Sequence, residues 1–153
     1  MSVSEFPDGA GTDGPSSQVT VGDLVRAPTT TVEPGAHVAA AAYLMKRSQD
    51  SALVVTSDEG NRLPIAVITD ADISQAVADG WNVNDTRINQ LRLARPAPVA
   101  PTTPVNEAAE RMLTMSLMHL PVVDDGRLVG LVDIAAVCRA LLQQSQPAGQ
   151  RNG

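Results

Sequence analysis

A doubled pattern constrains this chain more than any other feature of its sequence. Displacing the sequence by 67 residues matches Val21 with Ile88, Leu24 with Leu91, Val32 with Val99, Pro34 with Pro101, Val38 with Val105, Ala42 with Ala109, Met45 with Met112 and Leu53 with Leu120. Further on, the displacement falls to 64, pairing Ala66 with Gly130, Ile68 with Val132 and Ile73 with Val137, so one turn is three residues shorter in the second copy. A repeated unit of this kind cannot bury its apolar face alone. The two halves are therefore expected to pack sheet against sheet.

Each copy reads as a short lead-in, a helix, two strands and a closing helix. In the second copy Val105, Ala108, Ala109, Met112, Leu113 and Ser116 fall on one helical face, and a strand follows at Leu120 to Val123. Asp125 and Gly126 are a residue pair favoured in a two-residue hairpin turn, and Leu128 to Val132 is the return strand. Ile134, Val137, Cys138, Leu141 and Leu142 form the buried stripe expected of the last helix. The first copy uses Val38, Ala41, Ala42 and Met45, then Ala52 to Val55, a looser turn through Asp58 to Arg62, and the strand ending at Ile68. Residues 1–17 are rich in Gly, Ser, Pro and Asp without periodicity, and 144–153 share that character, so both are expected to be disordered tails. The copies are then 18–84 and 85–143.

Chemistry concentrates at Ile68 to Ile73, ITDADI. An apolar strand stops at Thr69, and Asp70, Ala71 and Asp72 open an amphipathic helix. The first N–H groups of a helix lack partners and the macrodipole is positive there, so an anion can dock. Thr69 could add a hydroxyl donor for a phosphate, and Asp72 offers acceptor oxygens of the kind that hold a ribose diol. Thr followed by acids is also how an ordinary helix is capped, so both readings stand at this point.

Composition excludes several alternatives. The formal net charge of −6 and the scattered aromatics Phe6, Tyr43 and Trp81 disfavour nucleic-acid binding. No apolar run has the length of a membrane span and the N-terminus has no export-signal pattern, so a cytoplasmic protein without a membrane partner is expected. The single cysteine, Cys138, rules out an intrachain disulfide and is expected to be a buried, inert thiol. No motif assembles a nucleophile with a base, a set of metal ligands or a phosphate-binding glycine loop, which argues against an enzyme.

The lead-in TVGDLV at Thr20 to Val25, the segment HLPVVDDGRLVGLVD at His119 to Asp133, and ITDADI resemble a tandem pair of cystathionine-β-synthase (CBS) domains, a Bateman module, as in stand-alone CBS domain-containing proteins. The resemblance implies an α/β (α+β) fold of two β-α-β-β-α repeats about a pseudo-twofold, commonly a homodimer, not an enzyme and without an obligatory cofactor. It implies a regulatory module that binds AMP, ADP, ATP or S-adenosylmethionine between the repeats and controls an unidentified protein target. The family signature Gly-h-x-Thr-x-x-Asp falls on Ala66 to Asp72, with Ala66 in place of glycine. The resemblance further assigns Thr20 and Val25 of the lead-in, Ser51 and Ala52 before the first hairpin strand, and His119 of the facing repeat to the ligand. His119 could equally cap a helix or bond a carbonyl.

In the second copy Asp133 replaces Thr69, Ala136 replaces Asp72, Arg87 replaces Thr20 and Met118 replaces Ser51. A carboxylate at the phosphate position repels an anion, so at most one nucleotide is expected, at the cleft of the first repeat. Arg26, Arg47, Arg62 and Arg92 are the cations that could approach it, and so few favour a lightly charged ligand over ATP. The alternative is a dimerisation or protein-interaction scaffold with a vestigial site.

Overall fold

A computed structural model describes residues 18–26, 30–57 and 63–145. The first copy contributes strand β1 (Thr31–Val32), helix α1 (Val38–Ser48), strands β2 (Ala52–Thr56) and β3 (Pro64–Thr69) and helix α2 (Asp70–Ala78). The second contributes α3 (Val105–Met115), β4 (His119–Asp124), β5 (Arg127–Asp133) and α4 (Ile134–Gln144). Short 3₁₀ turns at Val21–Asp23 and Ile88–Gln90 form the lead-ins. Most of the expected tails, and the turn at Asp58 to Arg62, lie outside the described residues. Gln144, placed by sequence in the tail, ends α4.

The sheets repeat one another as the sequence does. β1 runs parallel to β2 with Val32 opposite Val55, and β2 runs antiparallel to β3. In the second copy β4 pairs antiparallel with β5, and the place of β1 is taken by a single parallel bridge from Val99 to Val122. The ladder slips at Val55/Thr56 in one sheet and at Val122/Val123 in the other. Asp125 and Gly126 turn the second hairpin with φ of 51° and 78°, the positive values that such a two-residue turn requires.

Successive side chains on a strand point to opposite faces. On β2, Leu53 and Val55 enter one core, while Ala52, Val54 and Thr56 on the other face are buried as well. The strand is covered on both sides, and the two sheets meet through β3 and β4.

The lead-ins are exchanged between the copies. Val21 and Gly22 donate their N–H groups to Thr103 and Pro101 of the second copy, at 2.8 Å each, while Ile88 and Asn89 donate to Ala36 and Pro34 of the first, at 2.9 and 3.0 Å. Val21 accordingly lies in the core of α3, β4, β5 and α4, and Ile88 in the core of α1, β2 and β3. The same exchange serves the helix starts. Neither His37 nor Pro104 caps its helix with a side chain. Val38 instead donates to the Thr86 carbonyl at 2.8 Å and Val105 to that of Val19 at 3.2 Å.

Four positions expected on buried helix faces are corrected. Val105, Ala108 and Met112 are buried, but Leu113, one position or about 100° further round the helix, is 75% exposed, and Ser116 is an exposed left-handed C-cap. On α4 the inward stripe runs through Val137 and Ala140, which turns Cys138 and Leu142 outward. Cys138 is thus an exposed thiol. Among the described residues, no helix is long and apolar enough to cross a membrane.

The exchange predicts which half a lead-in mutation damages. Ile88→Ala, at a site 1% exposed, should destabilise the chain by about 2–5 kcal/mol in urea unfolding, with amide protection falling first in α1 and β1 to β3. A change below about 0.5 kcal/mol, or protection lost only around α3 and α4, would contradict the exchanged packing.

Candidate functional site

Strand β3 delivers Thr69 to the start of α2, where the local sequence builds a reciprocal cap. The Thr69 Oγ1 accepts from the Asp72 N–H at 3.2 Å, while Asp72 Oδ2 accepts from the Thr69 N–H at 2.8 Å and from the Thr69 hydroxyl at 3.0 Å. Asp70 N–H is taken by the Ser51 carbonyl at 2.9 Å, which fixes the start of β2 against the helix start. The hydroxyl hydrogen of Thr69 is therefore turned to Asp72. Asp72 Oδ1 carries no hydrogen bond among the described residues.

This turn lines a cleft of about 510 Å³ together with Ser51, Val67, Ala71, the stretch Ala94 to Pro96, and Ser116 to His119. The size lies within the ~300–1,000 Å³ usual for small-molecule sites. Of the residues assigned from sequence, the structure brings together Ser51, Thr69, Asp70, Ala71, Asp72 and His119.

It does not bring Thr20, Val25 or Ala52 into this cleft. Because the lead-in crosses to the other copy, Thr20 bridges Pro104 and bonds Asp23 through its N–H and hydroxyl, at 3.0 and 3.3 Å, and Val25 packs on the second core. Arg87 crosses the other way, bridging His37 and donating to the Gly35 carbonyl. Ala52 lines a second, smaller cleft of about 200 Å³, with Arg26, Thr30, Gln49, Asp50, Ser51, His119, Leu131 and Asp133.

The two clefts are equivalents under the sequence repeat. Asp133 stands where Thr69 does and accepts from the Ala136 N–H at 2.8 Å, and the Met118 carbonyl accepts from Ile134 at 2.9 Å as Ser51 does from Asp70. Their charges differ. Arg26 in the second cleft is bound to Asp50 at 3.0 Å. Arg95 in the first makes no hydrogen bond or ion pair among the described residues.

Sequence reasoning missed Arg95. It named Arg26, Arg47, Arg62 and Arg92, but Arg95 lies just ahead of the segment that bridges to β4, and only the exchange of lead-ins carries that segment to the Thr69 cleft. Among the described residues, no group of three or more His, Cys, Asp or Glu could hold a metal ion.

His119 opens β4 opposite Asp133, with Nε2 3.3 Å from the Ser51 hydroxyl. Burial pushes its imidazole below the ordinary value, against the raising pull of Asp133, Asp70 and Asp50.

Comparison with known proteins places the geometry in context. The family model for the CBS domain matches residues 21–79 and 91–143. A CBS domain-containing protein of Arabidopsis thaliana is 33% identical over 85 residues, covering 55% of this chain and 15% of the relative. A homoserine O-acetyltransferase of Methanococcoides burtonii is 28% identical over 126 residues, covering 82% of this chain and 25% of the relative. The chain thus spans a quarter or less of these curated relatives. Among solved structures, a CBS domain protein from Pyrobaculum aerophilum complexed with AMP is 28% identical with a TM-score of 0.76, covering 82% of this chain and 97% of that one.

A lowered histidine pKa stabilises the fold above about pH 6.5, and that contribution is lost as pH falls and the unfolded chain binds the proton more readily. Unfolding free energy should therefore decline between pH 7 and pH 5, and decline less in His119→Gln. Equal slopes in the two proteins would contradict the assignment to His119.

Proposed function

From its membership of the CBS domain family, we propose that this chain is a regulatory module that binds an adenine nucleotide in the Thr69 cleft. The observation that carries the reading is the convergence, in one ligand-sized cavity, of the α2 N-terminus, the Thr69–Asp72 turn and the unpaired guanidinium of Arg95. The N-terminus and Arg95 meet phosphate. Asp72 Oδ1 accepts from the ribose hydroxyls, and the Thr69 hydroxyl reaches phosphate by rotating away from Asp72, without movement of heavier atoms. Ser51 and Met118 line the same cavity. The AMP complex of the Pyrobaculum relative supports this ligand class.

Arg95 is the one Arg or Lys among the described residues lining the cleft, and it offsets Asp70 and Asp72 as well as the ligand. A monophosphate suits that balance better than ATP. The second cleft, smaller and with Asp133 in the phosphate position, does not take the same ligand.

Regulation follows if the ligand has different affinities for two arrangements of the halves, or of two chains, since only differential affinity shifts an equilibrium. The exposed Tyr43 on α1 and Val77 on α2, 59% and 58% accessible, are apolar side chains that a homodimer would cover. A partner protein reads the change. A second reading, an interaction scaffold, draws support from the cap itself, because Thr69 and Asp72 satisfy one another without a ligand.

Thermal unfolding with AMP separates the two. A ligand that binds only the folded state must raise the midpoint in a concentration-dependent manner, by the equivalent of about 2.7 kcal/mol at a hundredfold excess over Kd. Asp72→Ala should lose that rise and, through its cap, lower the ligand-free midpoint. Asp133→Ala, which removes the matching cap of α4 and costs about 1 kcal/mol, should keep the AMP response. No rise with AMP at millimolar concentration in the parent protein would favour the scaffold.

Arg95→Ala should weaken AMP about 10- to 100-fold, the loss of one charge-assisted contact worth ~1.5–3 kcal/mol, and leave adenosine binding unchanged. Isothermal titration calorimetry measures both. ATP binding as tight as AMP, or an Arg95 variant that binds AMP normally, would contradict the assignment.

A further inference from the structure

Among the described residues, Ser51 and His119 are the two that line both clefts. The fold dictates this. Under the repeat Ser51 is equivalent to Met118 and Ala52 to His119, so the pair lies where the entries to β2 and β4 meet. Each entry is tied to the start of the closing helix of its own copy, Ser51 by the Asp70 N–H and Met118 by the Ile134 N–H. The wall between the cavities is therefore held from both sides, and its polar contact is the 3.3 Å approach of His119 Nε2 to Ser51 Oγ.

Charged groups face the ring from every side. Asp70, Asp72 and Arg95 line the first cleft beside it. Asp50, Asp133 and Arg26 line the second, with Arg26 engaged by Asp50. The ring thus stands between two sets of carboxylates, yet burial outweighs them and holds its pKa below the ordinary histidine value. An added negative charge a short distance away tips that balance.

We propose that His119 makes nucleotide binding in the Thr69 cleft proton-linked, taking a proton from solvent as the phosphate arrives and presenting the resulting charge to the second cleft as well. This inference rests on the nucleotide reading above. The doubly charged phosphate enters a site whose two carboxylates face one arginine, and the imidazolium supplies the missing positive charge. No bond other than N–H is made.

The proton also fixes the direction of the contact in the wall. A charged imidazole can only donate, so Nε2–H donates to Ser51 Oγ, and the Ser51 hydroxyl hydrogen must turn to another acceptor. The phosphate is such an acceptor. On the far side the same charge offsets Asp133 and Asp50, so a filled first cleft makes the second less attractive to cations. Occupancy of one cavity is in this way legible in the other without displacement of the backbone.

The test is AMP binding to the whole chain by calorimetry between pH 6 and pH 8, in buffers of different ionisation enthalpy, with His119→Gln and Ser51→Ala alongside. AMP brings its own titration near pH 6, so the readout is the difference between proteins. The parent and Ser51→Ala should take up more protons per AMP than His119→Gln. Affinity should rise on acidification by up to tenfold per pH unit beyond the slope of His119→Gln. The imidazole resonances in NMR give an independent check: AMP should raise the pKa of His119. AMP that binds with equal proton uptake in the parent and His119→Gln, or with the His119 resonance titrating unchanged, overturns this inference and leaves the nucleotide reading standing. Failure of AMP to bind at any pH overturns both.

Discussion

Each copy begins its principal helix with N–H groups that no side chain caps, and the partners they find are carbonyls of the other copy. Val38 uses Thr86 and Val105 uses Val19, while the lead-in N–H groups of Val21 and Gly22, and of Ile88 and Asn89, return the favour. A buried backbone group without a partner costs a large part of a domain's net stability, so the crossing cannot be undone at one end alone. Gly22 fits this tight docking. A Cβ there would lie 3.0 Å from the Pro101 carbonyl oxygen, so a side chain would press the lead-in away from the segment it must bond.

The clefts are consequences of that crossing. Because the chain passes from one half to the other ahead of each helix, the stretch before Val99 lies along the Thr69 turn and the residue Arg26 lies along Asp133. The scaffold offers two equivalent cavities, and substitution has made them unlike. One holds a Thr–Asp cap, an unpaired arginine and room for a nucleotide. The other holds an Asp cap, an arginine already bound to Asp50, and less than half the volume. The common wall, Ser51 and His119, is where the two environments act on one another.

The sequence revealed most where the determinants were local. The displacement of 67 and then 64 residues located both hairpins, the Asp125–Gly126 pair specified a turn with positive φ, and Thr69 with Asp72 announced a helix start. Helix faces were legible to within one position, and that one position is about 100° of rotation. It separates buried Met112 from exposed Leu113, and buried Val137 from exposed Cys138.

What could not be read was long-range. Thr20 and Val25 open the first copy in sequence but belong spatially to the second, and Arg95 reaches the first cleft from the second copy's side. No local period encodes an exchange of segments, since each lead-in has the same pattern whichever core receives it. The consequence for the site is direct: Arg95, the arginine that lines the Thr69 cleft, is not one of the four that the sequence put forward.

The proposed nucleotide site is the Thr69 cleft and not its equivalent. Amide chemical-shift mapping during titration with AMP tests it most directly. Binding there should give saturable shifts at Thr69 to Asp72, at Arg95 and at Ser116 to His119, with Asp133 to Ala136 affected less. Shifts centred on Asp133 and Arg26, or no shift at either turn at millimolar AMP, would contradict it.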